Sequence, residues 1–262
     1  MEEVHLWRGS AEQRALRSHC RKSGQFVYFD RQLDSPNWDG KAVMDFGGNT
    51  GELLMDAGCT IRPENYYCLD VLEEALEAGR KRFPKAHWIH YDRYNCSFNP
   101  EGIADLPIPD IGIQFDIILA YSVFTHTTRD EMGDLVVQLR SRLVPGGVLA
   151  FTFIDPHWKS WPATYEGDNL KWRLEKALET NPAVDVSGLL EQSSNADWCA
   201  LVDGAELYVN SNGIWDNKAH QSCLSYNVYY TVEFLQQEFP RATVRPPVNG
   251  EMQHCCIMRK ES

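Results

Sequence analysis

Between Lys41 and Asp155, strand-like and helix-like segments alternate, with one looser stretch carrying Pro100, Pro107 and Pro109 between the third and fourth strands, and that rhythm limits the fold more than any other feature of the chain. "KAVMDFG" (41–47) reads as a buried strand and "GELLMDAG" as a short helix. "NYYCLDV" (65–71) is a second strand. "LEEALEAGRKRF" is a helix with acids early and bases late, the order that suits the helix dipole. "AHWIHYD" (86–92) is a third strand. "FDIILAYSVF" (115–124) is a fourth, apolar almost throughout, as in a strand covered on both faces. Thr128 and Glu131 form a T-x-x-E capping box that opens the helix "RDEMGDLVVQLRSRL", and "PGG" marks its end. "VLAFTFID" (148–155) is a fifth strand. The alternation predicts an α/β fold: a doubly wound, seven-stranded Rossmann-like sheet with helices on both faces, mostly parallel with an antiparallel last strand.

The rhythm breaks after Asp155. Residues 156–230 hold five of the eight tryptophans, a predicted helix (168–179) and strand-like pieces at 198–209 and 223–230, and read as an inserted cap. Residues 231–262 return to the core: Thr231 opens the helix "VEFLQQEF", then "ATVRPP" and "EMQHCCIMRK" form two closing strands joined by a tight "VNG" turn and therefore antiparallel. Ahead of the 41–155 core, residues 1–40 read as an N-terminal helical lid, with a helix over about 10–23, then "GQFVYFD" and the Pro-containing approach "DSPNWDG".

The turn after the first strand, "MDFGGNTG" (44–51), is where such a sheet binds its ligand. Gly47, Gly48 and Gly51 let the backbone approach a ligand closely. The spacing is not the G-x-G-x-x-G of dinucleotide sites, and Asp45 would repel a pyrophosphate held there. A carboxylate with glycines suits a phosphate-free nucleoside with a cationic tail, which describes S-adenosylmethionine. Asp70 ends the second strand, where an acid accepts both ribose hydroxyls, and Asp92 ends the third, in reach of an adenine amino group.

With these residues in view, the chain resembles the class I S-adenosylmethionine-dependent methyltransferases from about Val43 to Lys260, in their small-molecule, natural-product branch. "VMDFGGNTG" is similar to that family's first motif, "YYCLD" to its second and "HYD" to its third. "FDIILAYSVFTH" and "LRSRLVPGGVLAFTF" are similar to the fourth and the segment after it. Asn49 departs from the usual glycine, but asparagine tolerates a left-handed backbone. The resemblance implies S-adenosylmethionine as cofactor. It places Asp45, Gly47, Gly48, Asn49 and Gly51 at its methionine end, Asp70 with Val71 at the ribose, Asp92 with Arg93 at the adenine, and Tyr121 and Ser122 beside the sulfonium.

His126, just past the fourth strand, is the candidate general base, because imidazole titrates near neutrality. His157 is a second candidate, and His254 reads as a strand residue. Tyr28, Trp158, Trp161, Tyr165, Trp198, Trp215 and Tyr226 are candidate walls of an acceptor pocket, with Glu166 and Asp168 as attractors of a cationic amine. No acidic cluster follows the fourth strand, so no metal is expected. "AYSV" is not the N/D-P-P-Y/F element of nucleic-acid methyltransferases, and the net charge of -12 argues against a nucleic-acid partner. No run reaches the roughly 18 apolar residues of a membrane span, and "MEEVHLWRGS" lacks the n- and h-regions of a signal peptide. Eight cysteines without a C-x-x-C pair read as reduced, mostly structural thiols in a cytoplasm, and a monomer or homodimer is expected. The expected activity is methyl transfer to nitrogen or oxygen of a small molecule. The alternatives are methylation of a protein side chain, a non-catalytic S-adenosylmethionine-binding protein, and another reaction of the same cofactor.

Overall fold

The computed structural model describes residues 24–95, 98–155, 230–248, 251 and 253–261, together with the backbone of three short strands at 208–210, 213–215 and 227–228. Seven strands form one sheet: β1 (Val43–Phe46), β2 (Tyr66–Asp70), β3 (His87–His90), β4 (Phe115–Ala120), β5 (Leu143–Phe153), β9 (Thr243–Arg245) and β10 (His254–Arg259). Their order is β3-β2-β1-β4-β5-β10-β9, which reverses direction from β1, so the switch point lies between β1 and β4. β10 runs antiparallel to both β5 and β9, while the pairs from β3 to β5 are parallel. The sheet is therefore the expected one. A second sheet joins β6 (Tyr208–Asn210), β7 (Gly213–Trp215) and β8 (Asn227–Val228) within the predicted cap.

Alternation along the strands divides the core in two. Met44, Phe46, Ile118, Phe151 and Cys256 face the cluster containing Met132, Leu135 and Leu139 of α4 (Arg129–Ser141) and Phe234 and Leu235 of α5 (Val232–Glu238). Val43, Cys68, Ile117, Leu119 and Cys255 face the opposite cluster. That side is covered by α1 (Gln25–Gln32), α2 (Glu52–Ala57) and α3 (Glu73–Arg82). The predicted capping box of α4 is present: Glu131 N donates to Thr128 Oγ1 at 3.1 Å and Thr128 N to Glu131 Oε2 at 2.7 Å.

α1 lies downstream of the predicted 10–23 helix, which falls outside the described residues. With eight residues it is too short to be stable alone. Burial of Phe26, Tyr28 and Phe29, each worth roughly 1.5–3 kcal/mol, decides its position. Gly24 at its N-cap has no side chain to offer the free N–H groups. Asp56 of α2 supplies one, accepting from Phe26 N at 2.8 Å and Val27 N at 3.2 Å.

Several element boundaries differ from expectation. β3 ends at His90, two residues short of Asp92. β4 stops at Ala120 instead of running to residue 124, because Ser122 adopts a left-handed backbone (φ 58°) that a strand cannot continue through; a short 3-10 turn, Phe124–His126, follows. β5 begins at Leu143, ahead of "PGG", because Gly146 N and Gly147 O both pair with Lys260 across the strand edge. The closing strands are joined by residues 246–253, a longer connection than the expected "VNG" turn.

Candidate cofactor and acceptor site

The turn between β1 and α2 is held in conformations that glycine and asparagine tolerate. Gly47 has φ 74°, Asn49 φ 51° and Gly51 φ 79°. Asn49 thus preserves the turn. The glycines also answer to the protein's own packing: a Cβ on Gly47 would lie 2.4 Å from Val123, one on Gly48 2.6 Å from the Asp45 carboxyl, and one on Gly51 2.6 Å from Trp88. The close approach expected of a ligand is already made here by side chains.

The two acids at the ends of β1 and β2 are both buried. Asp45 is 1% exposed and accepts a hydrogen bond from Tyr66 Oη at 2.5 Å. Burial raises its carboxyl to about 7, because desolvation outweighs the hydrogen bond from Tyr66; the nearby Asp70 and Glu52 push in the same direction. Asp70 Oδ2 accepts from Asn49 N at 2.7 Å and Oδ1 from Leu72 N at 2.8 Å, so one carboxylate ties the glycine turn to the end of β2. Burial raises its pKa too, against the lowering effect of those backbone donors. Val71 is half-buried between Asp70 and Leu72.

Asp92 accepts from Asn99 Nδ2 at 3.0 Å. The Arg93 guanidinium donates to Leu106 O at 2.8 Å and lies 3.4 Å from Asp134 of α4. Tyr121, 9% exposed, donates to Glu251 Oε2 at 3.1 Å. Ser122 N donates to Thr152 Oγ1 at 2.7 Å, and its hydroxyl lies 3.1 Å from that of Thr125. His126 is buried at the end of the 3-10 turn. Its ring meets Phe98 edge-on at 5.2 Å, and its carbonyl accepts from Asn95 Nδ2 at 2.9 Å. His254 opens β10 as a buried strand residue 4.0 Å from Asp155, and burial lowers its pKa to about 4.

Of the candidate acceptor residues, Tyr28 is fully buried and donates to Gln253 O at 2.9 Å, its ring edge-on to Tyr121. Trp215 ends β7, with only its backbone described. Trp158, Trp161, Tyr165, Trp198, Tyr226, His157, Glu166 and Asp168 lie outside the described residues.

Three participants were not anticipated: Tyr66, Glu251 and Gln253. A period-2 count along "YYCLD" puts Tyr66 and Cys68 on the face of Asp70, and Asp45 pairs with Cys68, so Tyr66 was within reach of sequence reasoning. Glu251 and Gln253 carry no local signal.

The donor set fits S-adenosylmethionine. Two buried carboxylates flank the turn, a setting that favours an ammonium and a diol over a pyrophosphate. Residues 44–149 match the family described as "Methyltransferase domain". An S-adenosylmethionine-dependent methyltransferase from Clostridium acetobutylicum superposes with a TM-score of 0.51 at 12% identity, over 90% of this chain and 90% of that one. The glycopeptide N-methyltransferase MtfA, solved with S-adenosyl-L-methionine, superposes at 0.50 with 11% identity, over 92% and 95% of the two chains. DesVI of Streptomyces venezuelae is similar at 0.48 with 15% identity, over 98% and 100%. Likeness at such identities speaks for the fold and leaves the acceptor open. Residues 44–149 thus match a methyltransferase-domain family, and the strand order and the acid-flanked turn agree with that match.

Proposed function

We propose that the chain transfers a methyl group from S-adenosylmethionine to a nitrogen or oxygen of a small-molecule acceptor. The observation that carries this reading is where the insertion is rooted. Its two ends meet at the C-terminal end of β5, where Tyr230 N donates to Ile154 O at 3.0 Å. That places the root of about 75 inserted residues at the carboxyl edge of the sheet, the edge that holds ligands in this architecture. An insertion of that length rooted at the ligand edge favours a small acceptor over a protein side chain.

Bound S-adenosylmethionine supplies a methyl group activated by its sulfonium. The chain's share is to align and desolvate. Asp45 would complement the cofactor's charged methionine end and Asp70 its ribose, with Gly47, Gly48, Asn49 and Gly51 lining the turn. Asp92 and Arg93 belong to the adenine side, and Tyr121 and Ser122 to the methyl end. His126 would accept the proton that the acceptor loses. Tyr28 would stand on the acceptor side with the aromatic residues of the insertion.

The test is turnover of S-adenosylmethionine against a panel of amines, phenols and sugars, with peptides as the competing class. Methylation of a small acceptor, with peptides inert, supports the reading; methylation of peptides alone overturns it. His126→Ala is expected to lower turnover by about 100-fold or more while S-adenosylhomocysteine affinity stays within about twofold. An unchanged rate removes His126 from the reaction.

A further inference from the structure

We infer that Glu251 is a positioning residue whose charge, relayed through the Tyr121 hydroxyl, makes the site prefer the positively charged methyl donor over its neutral demethylated product. The inference rests on the cofactor reading above.

Two consecutive residues of the turn after β4 are tied to two residues of the segment before β10. Tyr121 donates to Glu251 Oε2 at 3.1 Å. Ser122 N donates to Thr152 Oγ1 at 2.7 Å, and that hydroxyl in turn donates to Gln253 Oε1. The same segment is bound to α1: Tyr28 Oη donates to Gln253 O at 2.9 Å and Gln32 Nε2 to Pro246 O at 2.8 Å. Tyr28 and Phe29 then pack edge-on against the Tyr121 ring at 5.5 and 6.0 Å. Tyr121 is thus held at its hydroxyl by a carboxylate and at its ring by two buried aromatics.

Glu251 is 4% exposed, so a charge carried by its carboxyl acts in a poorly screened setting. A phenol that donates to a carboxylate presents its oxygen lone pairs with added negative character. S-adenosylmethionine and S-adenosylhomocysteine differ by one methyl group and one positive charge on sulfur. A carboxylate one side chain behind the residue at the methyl end favours the charged member of that pair. Preference for the donor also limits inhibition by product, because the neutral thioether gains nothing from the carboxylate.

The experiment is calorimetric titration of S-adenosylmethionine and S-adenosylhomocysteine into the wild-type chain, Glu251→Gln and Tyr121→Phe, with thermal melts of all three. Glu251→Gln keeps an oxygen to accept from Tyr121 and removes only the charge. The expected result is that Glu251→Gln weakens S-adenosylmethionine about 5- to 10-fold and S-adenosylhomocysteine less than about twofold. Tyr121→Phe reproduces the selective loss, and the double variant loses no more than the larger single effect. Equal loss for both ligands, or no loss for either, overturns the inference and leaves Glu251 with a packing role. If Glu251→Gln melts too low to titrate, Tyr121→Phe decides by the same selective loss. Failure of the wild-type chain to bind either ligand overturns the cofactor reading itself, and this inference with it.

Discussion

The carboxyl edge of the sheet has two halves built in different ways. Around β1 and β2, functional groups are held by near neighbours and by backbone: Asp70 grips Asn49 N and Leu72 N, and Asp45 is held by Tyr66 of the adjacent strand. Around β4, β5 and β10, residues more than 100 positions apart hold one another: Tyr121 to Glu251 and Thr152 to Gln253 through their side chains, and Tyr28 to the Gln253 carbonyl. The first half is a preset seat whose shape follows from a turn. The second exists only once the last strand has docked. Ligand groups read by the first half should therefore be recognised independently of the second, and the two halves should fail separately.

The largest separation is expected at Asp70. Asp70→Ala removes the proposed ribose acceptor and leaves two backbone donors without their partner, so S-adenosylhomocysteine affinity should drop by about 100-fold or more. The loss should extend to adenosine alone, whereas changes at Glu251 leave adenosine binding intact; parallel titrations of the two ligands read the difference. The comparison fails if both variants treat adenosine alike.

A smaller effect comes from Asp45. Its carboxyl stands near 7 because of burial, so below that pH it is protonated and, in the proposed role, would no longer balance the cofactor's ammonium. S-adenosylmethionine affinity should fall by up to about tenfold per pH unit below 7 and level off above it. Tyr66→Phe removes the hydrogen bond that holds the pKa down and should move the midpoint upward. For the ligand-free protein the sign is opposite. Asp45 takes up a proton on folding between about pH 4 and 7, so its contribution makes the fold less stable as pH rises through that window. Titration calorimetry across pH 5.5 to 8.5 and denaturant melts over the same range check the two slopes.

Stability variants sharpen the contrast at lower amplitude. Thr128→Ala breaks the capping box of α4 and should cost about 1 kcal/mol in urea unfolding, without altering cofactor affinity. Asn49→Gly relieves a left-handed non-glycine residue in the seat. It should change stability by less than about 1 kcal/mol while leaving S-adenosylhomocysteine binding within about threefold.

The same division explains what could be read from the sequence. The strand at "VMDF", the turn beyond it and the capping box at Thr128 are local patterns, and each appears where its residues predict. β4 is shorter than its apolar run predicts. "AYSVF" is apolar enough to continue a strand, and only the left-handed backbone of Ser122, which no composition signals, stops it. The sequence marks Asp45 by its charge, but its proton-binding character depends on burial and on Tyr66, which follow from strand pairing. Glu251 and Gln253 sit in a connection with no periodicity. Their roles arise because β10 lies antiparallel beside β5, which brings His254 opposite Phe153 and the preceding residues to the ligand edge.

The most direct test of the account is a calorimetric titration of the unmodified chain with S-adenosylhomocysteine, NAD and ATP at pH 7.5. Saturable binding of S-adenosylhomocysteine in the micromolar range, with no heat from NAD or ATP, is the predicted result. Tight binding of NAD or ATP with none of S-adenosylhomocysteine would contradict a seat built from Asp45 and Asp70 around the 47–51 turn.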